Sequence, residues 1–214
     1  VADIAEEAAK KVAQDLGGVA VRVDVSDEAS TRAMAKSVHE DYGRIDILIN
    51  NAALWTALLP MKPWTDIPLE EWDRVMAVNV RGNFLAARAV FPYMKEQKRG
   101  RIINISSSTA HSGVPGILHY VTSKGAVIGL TRALAREIGE TGITVNAITP
   151  GLVSTEGVKR LYSEEMLESR VNARSIKRQQ IPEDLVGAAM FLASDGAGFM
   201  TGQILNVDGG QIMY

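Results

Sequence analysis

Tyr120 and Lys124 stand four residues apart in the stretch HYVTSK, at the start of a segment whose pattern predicts a helix. That spacing puts both side chains on one helix face, one turn apart. A phenol ordinarily titrates near pH 10, too high for ready proton exchange at neutral pH. An ammonium about 4 Å away, at an effective dielectric near 20, stabilises the phenolate by roughly 4 kcal/mol, or about three pKa units before desolvation opposes it. A general acid or base needs a shift of that size. The same spacing also suits a surface helix with an accidental ion-dipole pair, so the two residues alone do not decide. Just upstream, NISSSTAHS places Ser106, Ser107 and Ser108 past the end of a strand-like run, where open α/β sheets bind their ligands. A serine hydrolase is excluded on pattern: no G-x-S-x-G elbow surrounds these serines, and His111 follows in a glycine-bearing loop.

The elements that must position these residues alternate along the chain. VAD (1–3) reads as the tail of a strand, followed by an Ala/Glu/Lys helix over about 4–16 that ends at Gly17-Gly18. VAVRVDV (19–25) alternates as a strand, and the next helix takes Ser26 or Asp27 as its cap and closes on Gly43. RIDILINNAA (44–53) reads as a strand apolar on both faces, and one long helix is expected over 69–98. Strand 100–106, helix 118–139, strand 143–149, helices over about 156–171 and 183–194, and strand 203–207 complete the pattern. Strands apolar on both faces and alternating with helices predict an α/β fold, a doubly wound Rossmann-like parallel sheet in a single domain, 1–214. The strand, glycine-rich turn and helix that open such a fold are missing from this sequence. The expectation is that roughly 30–40 residues, about one strand-turn-helix unit, precede Val1.

Composition narrows the function classes. The 214 residues carry 23 basic and 25 acidic side chains with no basic stripe, so no nucleic-acid partner is expected. Ile102–Ser123, the longest uncharged run, is too rich in Ser, Thr, His and Pro to span a membrane, and no membrane partner is expected. Cysteine is absent, which removes disulfides and thiol catalysis and fits a reducing, cytoplasmic location. Three scattered histidines make no metal site.

The strings DV (24–25), NNAA (50–53), NVRG (79–82), ISSS (105–108), YVTSK (120–124), PGLVST (150–155) and VDGG (207–210) resemble, in this order and spacing, the short-chain dehydrogenase/reductase family. The resemblance covers essentially the whole chain. It implies a catalytic tetrad of Asn79, Ser107, Tyr120 and Lys124, the serine being picked out by its offset of thirteen from the tyrosine. Asn79 is implied to position a water that relays protons to Lys124. For the cofactor, the resemblance implies that Asp24 and Val25 hold the adenine ring and that Asn51 and Ala52 line the adenosine side. Pro150 and Gly151 would shape the turn under the nicotinamide, with Val153 and Thr155 touching its carboxamide and a nearby phosphate. Ala53 departs from the family, where glycine is common.

Asp3 ends its strand where NAD-dependent members place an acid for the adenosine ribose hydroxyls. A 2′-phosphate would meet that carboxylate as a like charge, so NAD is expected over NADP. Trp55, His111 and Leu152 are expected to face the substrate beside Ser107 and Tyr120, with Ser108, Thr109 and Ile117 bordering them, and 152–181 resembles the variable lid. Small residues at Gly125, Ala126, Gly129 and Ala133, together with the C-terminal TGQILNVDGGQIMY, resemble the two interfaces of family homotetramers. The expected reaction is hydride transfer between NAD(H) and a secondary alcohol or ketone, aryl or ring-bearing. The alternatives are an NADPH-dependent 3-oxoacyl-carrier-protein reductase and, from another class, a non-catalytic dinucleotide sensor.

Overall fold

The computed structural model describes residues 1–55 and 58–213. In chain order the elements are β1 (Ala2–Asp3), α1 (Glu6–Asp15), β2 (Val21–Arg22), α2 (Glu28–Tyr42), β3 (Ile47–Asn50), α3 (Leu69–Met76), α4 (Gly82–Glu96), β4 (Gly100–Ile105), α5 (Thr109–Ser112), α6 (Leu118–Ile138), β5 (Ile143–Pro150), α7 (Glu156–Leu161), α8 (Glu164–Asn172), α9 (Glu183–Ala193) and β6 (Ile204–Val207). The helix after β2 takes Asp27, not Ser26, as its cap: the carboxylate accepts from the amides of Ala29 and Ser30.

Every pairing is parallel, but the strands form two sheets, β1–β2 and β3–β4–β5–β6. Period-two alternation sends consecutive residues to opposite faces. Ile102, Ile143 and Val145 meet α2, α4 and α6 on one face, while Ile103 and Ile148 meet α9 on the other. Burying one such isoleucine contributes about 2 kcal/mol, which explains why β4 and β5 are the best-covered strands.

β3 departs from the expectation of a strand buried on both faces. It forms an edge of its sheet, and Ile47 and Ile49 are 45% and 46% exposed, while Leu48 packs inward against both Val23 of the β2 segment and the main core. The long helix predicted over 69–98 is likewise not continuous. A five-residue π-helical turn, Ala77–Arg81, separates α3 from α4 and holds Asn79. One extra residue per turn there breaks the regular ladder and changes the face that Asn79 presents.

Directly under the strand ends, buried amides tie the layers together. Asn50 Nδ2 donates to Asn104 Oδ1 at 2.9 Å, and Asn104 Nδ2 donates to Thr131 Oγ1 at 2.9 Å, linking β3, β4 and α6. Asn104 is 1% exposed, so these bonds form where water cannot substitute. Replacing Asn104 with Ala removes both bonds and leaves a small cavity. The expected cost is about 2–3 kcal/mol, read as a lower urea midpoint at unchanged m-value.

Candidate active site

The C-terminal ends of β4 and β5 and the first turns of α6 enclose a cavity of about 460 Å³. Ser107, Tyr120 and Lys124 all line it, as do Asn51, Trp55, Pro150, Gly151, Leu152, Val153 and Thr155. The sequence places these residues up to about a hundred positions apart, and the parallel topology gathers them at one edge.

The site is built from the backbone outward. Ser106 Oγ donates to the Lys124 carbonyl at 2.7 Å, which seats α6 on the end of β4. Lys124 Nζ donates to the Ile105 carbonyl at 2.8 Å, its one hydrogen bond among the described residues. The side chain is 2% exposed, and burial pushes the ammonium down to about 8. Its nitrogen lies 5.6 Å from the centre of the Tyr120 ring.

Burial pushes the Tyr120 phenol up to about 12, opposed in part by a hydrogen bond with Ser107 and reinforced by Tyr162. This reverses the direction expected from sequence. The expectation set a full ammonium at about 4 Å in a polar medium. In the structure the nitrogen is drawn to a carbonyl, and desolvation of the phenol is the dominant influence on its pKa. Ser107 Oγ accepts from the Thr109 amide at 3.2 Å and from Thr109 Oγ1 at 2.9 Å, so its own proton is the one available for the Tyr120 oxygen or a bound carbonyl.

Asn79 stands behind this group, fully buried and outside the cavity lining. Its Oδ1 accepts from the Leu54 amide at 2.7 Å, and its Nδ2 donates to the Leu54 carbonyl at 3.2 Å and to Ser123 Oγ at 3.1 Å. Ser123 Oγ in turn donates to the Tyr120 carbonyl at 2.7 Å. The carboxamide therefore joins the loop after β3 to the helix bearing Tyr120 and Lys124. Asn83 Nδ2 donates to the Asn79 carbonyl at 2.5 Å, closing the π turn.

Asp3, Asp24 and Val25 sit apart from the cavity, at and beyond the C-terminal ends of β1 and β2. Asp3 is exposed, and its Oδ1 accepts from the Ala5 amide at 2.8 Å. Asp24 accepts from the amide and hydroxyl of Ser26, which hold its carboxyl below the usual range. Val25 rests against Gly82, where an added Cβ would approach Val25 Cγ2 to 2.9 Å, so the glycine of NVRG is what lets this side chain lie flat on α4. Ala52 and His111 are not among the lining residues. Burial holds the His111 ring below its ordinary value.

Trp55 connects the site to its cover. Its ring lies 4.7 Å from that of Tyr120, and it packs with Val158, Tyr162 and Leu167 of the α7–α8 segment. Thr155 caps α7, accepting from the Val158 amide at 3.3 Å. Sequence reasoning anticipated a lid over 152–181 but not which side chains enter the cavity. Tyr162 and Arg170 do, together with Met61, Leu185 and Gln211. Met61 and Gln211 carried no signal, because they arrive from a loop and a tail with no periodicity.

The chain is similar to known proteins over nearly its whole length. Residues 1–211 match the family described as enoyl-(acyl carrier protein) reductase. A 3-oxoacyl-[acyl-carrier-protein] reductase of Synechocystis is 39% identical over 199 residues, 92% of this chain and 76% of the relative. A Thermotoga maritima protein of the same name is 34% identical over 216 residues, 99% of this chain and 86% of the relative. One from Staphylococcus aureus is 36% identical over 201 residues, 94% and 80% respectively. The chain belongs to the short-chain dehydrogenase/reductase family, as an NAD(P)-dependent oxidoreductase acting on CH–OH groups.

Proposed function

We propose that the protein reduces the 3-oxo group of an acyl thioester to the corresponding alcohol, using NADH. The observation that carries this reading is the convergence of Ser107, Tyr120 and Lys124 on one cavity, in a chain whose similar relatives bear the name 3-oxoacyl-[acyl-carrier-protein] reductase. The sequence alone favoured an aryl or ring-bearing alcohol, and none of these relatives is named for such a substrate. The thioester reading, second on sequence, has the better support.

The residues present fit a nicotinamide dinucleotide. Lys124 spends one donor on Ile105, and its remaining N–H groups open toward a cavity walled by Asn51, Pro150, Gly151, Val153 and Thr155. Hydroxyls of a bound ribose suit those donors. Asp24, Val25 and Asp3 would hold the adenosine end. The exposed Asp3 carboxylate accepts ribose hydroxyls and repels a 2′-phosphate, which supports NADH over NADPH.

When bound, the reduced nicotinamide supplies hydride to the carbonyl carbon. Ser107 would donate a hydrogen bond to the carbonyl oxygen, keeping its proton, and fix its position. Tyr120, kept protonated by burial, gives that oxygen its proton as charge develops. Lys124 stabilises the phenolate that forms, and Asn79 acts as a positioning residue through Leu54 and Ser123. A homotetramer belongs to the same proposal. Val186, Met190 and Phe199 near the C-terminus and Phe84 and Leu118 on α4 and α6 are exposed apolar side chains suited to subunit contacts; Tyr214, in the C-terminal stretch, lies outside the described residues. A monomeric mass by light scattering would count against it.

Tyr120→Phe is expected to lower kcat for a 3-oxoacyl thioester by at least about a thousandfold while NADH binding, followed by its fluorescence, stays within about twofold. Unchanged turnover would sink the mechanism, and higher kcat/KM with NADPH than with NADH would overturn the cofactor preference. Lys124 gives a second test. Its folded pKa, about 8, lies below the ordinary 10.5, so between these values the unfolded chain binds more protons and stability rises with pH. Between pH 8 and 9.5 the ligand-free protein should gain about 1.5 kcal/mol relative to Lys124→Met, measured by urea unfolding at each pH. A constant difference across that range would show that the ammonium is not desolvated.

A further inference from the structure

Among the described residues, two charged side chains line the 460 Å³ cavity, Lys124 and Arg170, and both are cationic. No Asp or Glu among the described residues lines it. Lys124 has a carbonyl partner and a place in the proton chemistry. Arg170, in the last turn of α8, is part-buried and makes no ion pair or hydrogen bond among the described residues. The acids of its own helix, Glu164, Glu165 and Glu168, are exposed and leave it unpaired.

Its neighbours sharpen the point. Arg174 lies close enough to Arg170 for the two charges to repel. That second guanidinium is committed to the fold, donating to the carbonyls of Leu152 at 2.7 Å and Arg178 at 3.2 Å. The nearby acids are committed as well. Asp184 pairs with Arg178, and Asp208 accepts from the amides of Gly210, Gln211 and Ile212. The cavity lining includes the apolar and aromatic side chains Val158, Leu185, Tyr162 and Trp55, and the Arg170 charge acts on the Tyr162 phenol. A guanidinium with five donors that lines a cavity and makes no ion pair or hydrogen bond among the described residues suits a planar or tetrahedral oxyanion.

We infer that Arg170 is a specificity residue that holds an anionic group, a carboxylate or a phosphate, carried by the substrate away from its reacting carbonyl. This rests on the oxidoreductase reading of the cavity and narrows its substrate class to anionic carbonyl compounds. Selection by charge follows, because a neutral substrate leaves the guanidinium without a partner, whereas an anionic one gains a charge-assisted, two-pronged hydrogen bond.

The test reads binding alone, through the fluorescence of Trp55 in the cavity wall or by calorimetry. Octanoate, octyl phosphate and octanol share a chain and differ only in the head group. At least one anion should bind the unmodified protein about tenfold or more tightly than octanol, and the tighter anion names the group. Arg170→Gln should bring that ratio close to one, while Arg170→Lys should retain part of it. A ratio near one in the unmodified protein overturns the inference. So does a preference that survives in Arg170→Gln, which would assign the anion to Lys124. A third overturning result is an equal loss of NADH affinity in Arg170→Gln, which would place the guanidinium on a cofactor phosphate. Absence of 3-oxoacyl thioester turnover would sink the proposed reaction without changing these binding ratios.

Discussion

A buried ammonium is the constraint around which this site is organised. Lys124 has lost nearly all its water and keeps one carbonyl partner, Ile105, at the last residue of β4. An unsatisfied cation in a low-dielectric pocket costs several kcal/mol, so the surrounding framework must hold it against relaxation outward. Ser106 does this directly by bonding the Lys124 carbonyl, and the tight cover of β4 and β5 keeps both strand ends from yielding. The same desolvation acts on Tyr120 in the opposite sense, keeping its proton on at neutral pH. A phenol held protonated suits a donor to a carbonyl oxygen, and an ammonium poised near neutrality can gain or lose charge as its surroundings change.

Asn79 explains why the chain interrupts a good helix there. A regular α-helix from Leu69 to Glu96 would satisfy its backbone without help. The π turn gives up one step of that ladder and delivers a carboxamide that satisfies both backbone groups of Leu54 and the hydroxyl of Ser123. Three elements distant in sequence are thereby fixed to one another by a single planar group. Such a group has few alternative partners of the right geometry, which makes the arrangement specific as well as stable.

Much of this was legible in the chain, for identifiable reasons. GRIINIS and ITVNAIT read as strands with apolar residues on both faces, because consecutive strand side chains point to opposite sides, and helices cover both sides of β4 and β5. The four-residue step from Tyr120 to Lys124 reports a shared helix face for the same kind of reason, and Ser26 or Asp27 reads as a cap before a helix, the structure selecting Asp27. Other features depend on what packs from afar. RIDILINNAA looks doubly buried, yet β3 forms an edge and exposes Ile47 and Ile49. The π turn has no compositional mark in MAVNVRG beyond an asparagine in a helix interior. The phenol's shift depends on burial and on where the ammonium turns, and spacing specifies neither.

The lid divides the labour differently from the strand ends. Its base is stitched: the Ser154 amide donates to the Gln180 carbonyl at 2.7 Å, Ser154 Oγ meets Gln179 Oε1 at 2.7 Å, and Arg174 reaches back to Leu152. Above that base, α7 and α8 rest on a small apolar cluster with Trp55, well separated from the main core. Few buried contacts mean a lower local opening cost for this segment than for the strand ends. On the proposed function, the strand ends carry the proton chemistry and the α7–α8 segment bears on the choice of substrate. Side chains such as Arg170 can then vary in charge and size while Ser107, Tyr120 and Lys124 keep their geometry.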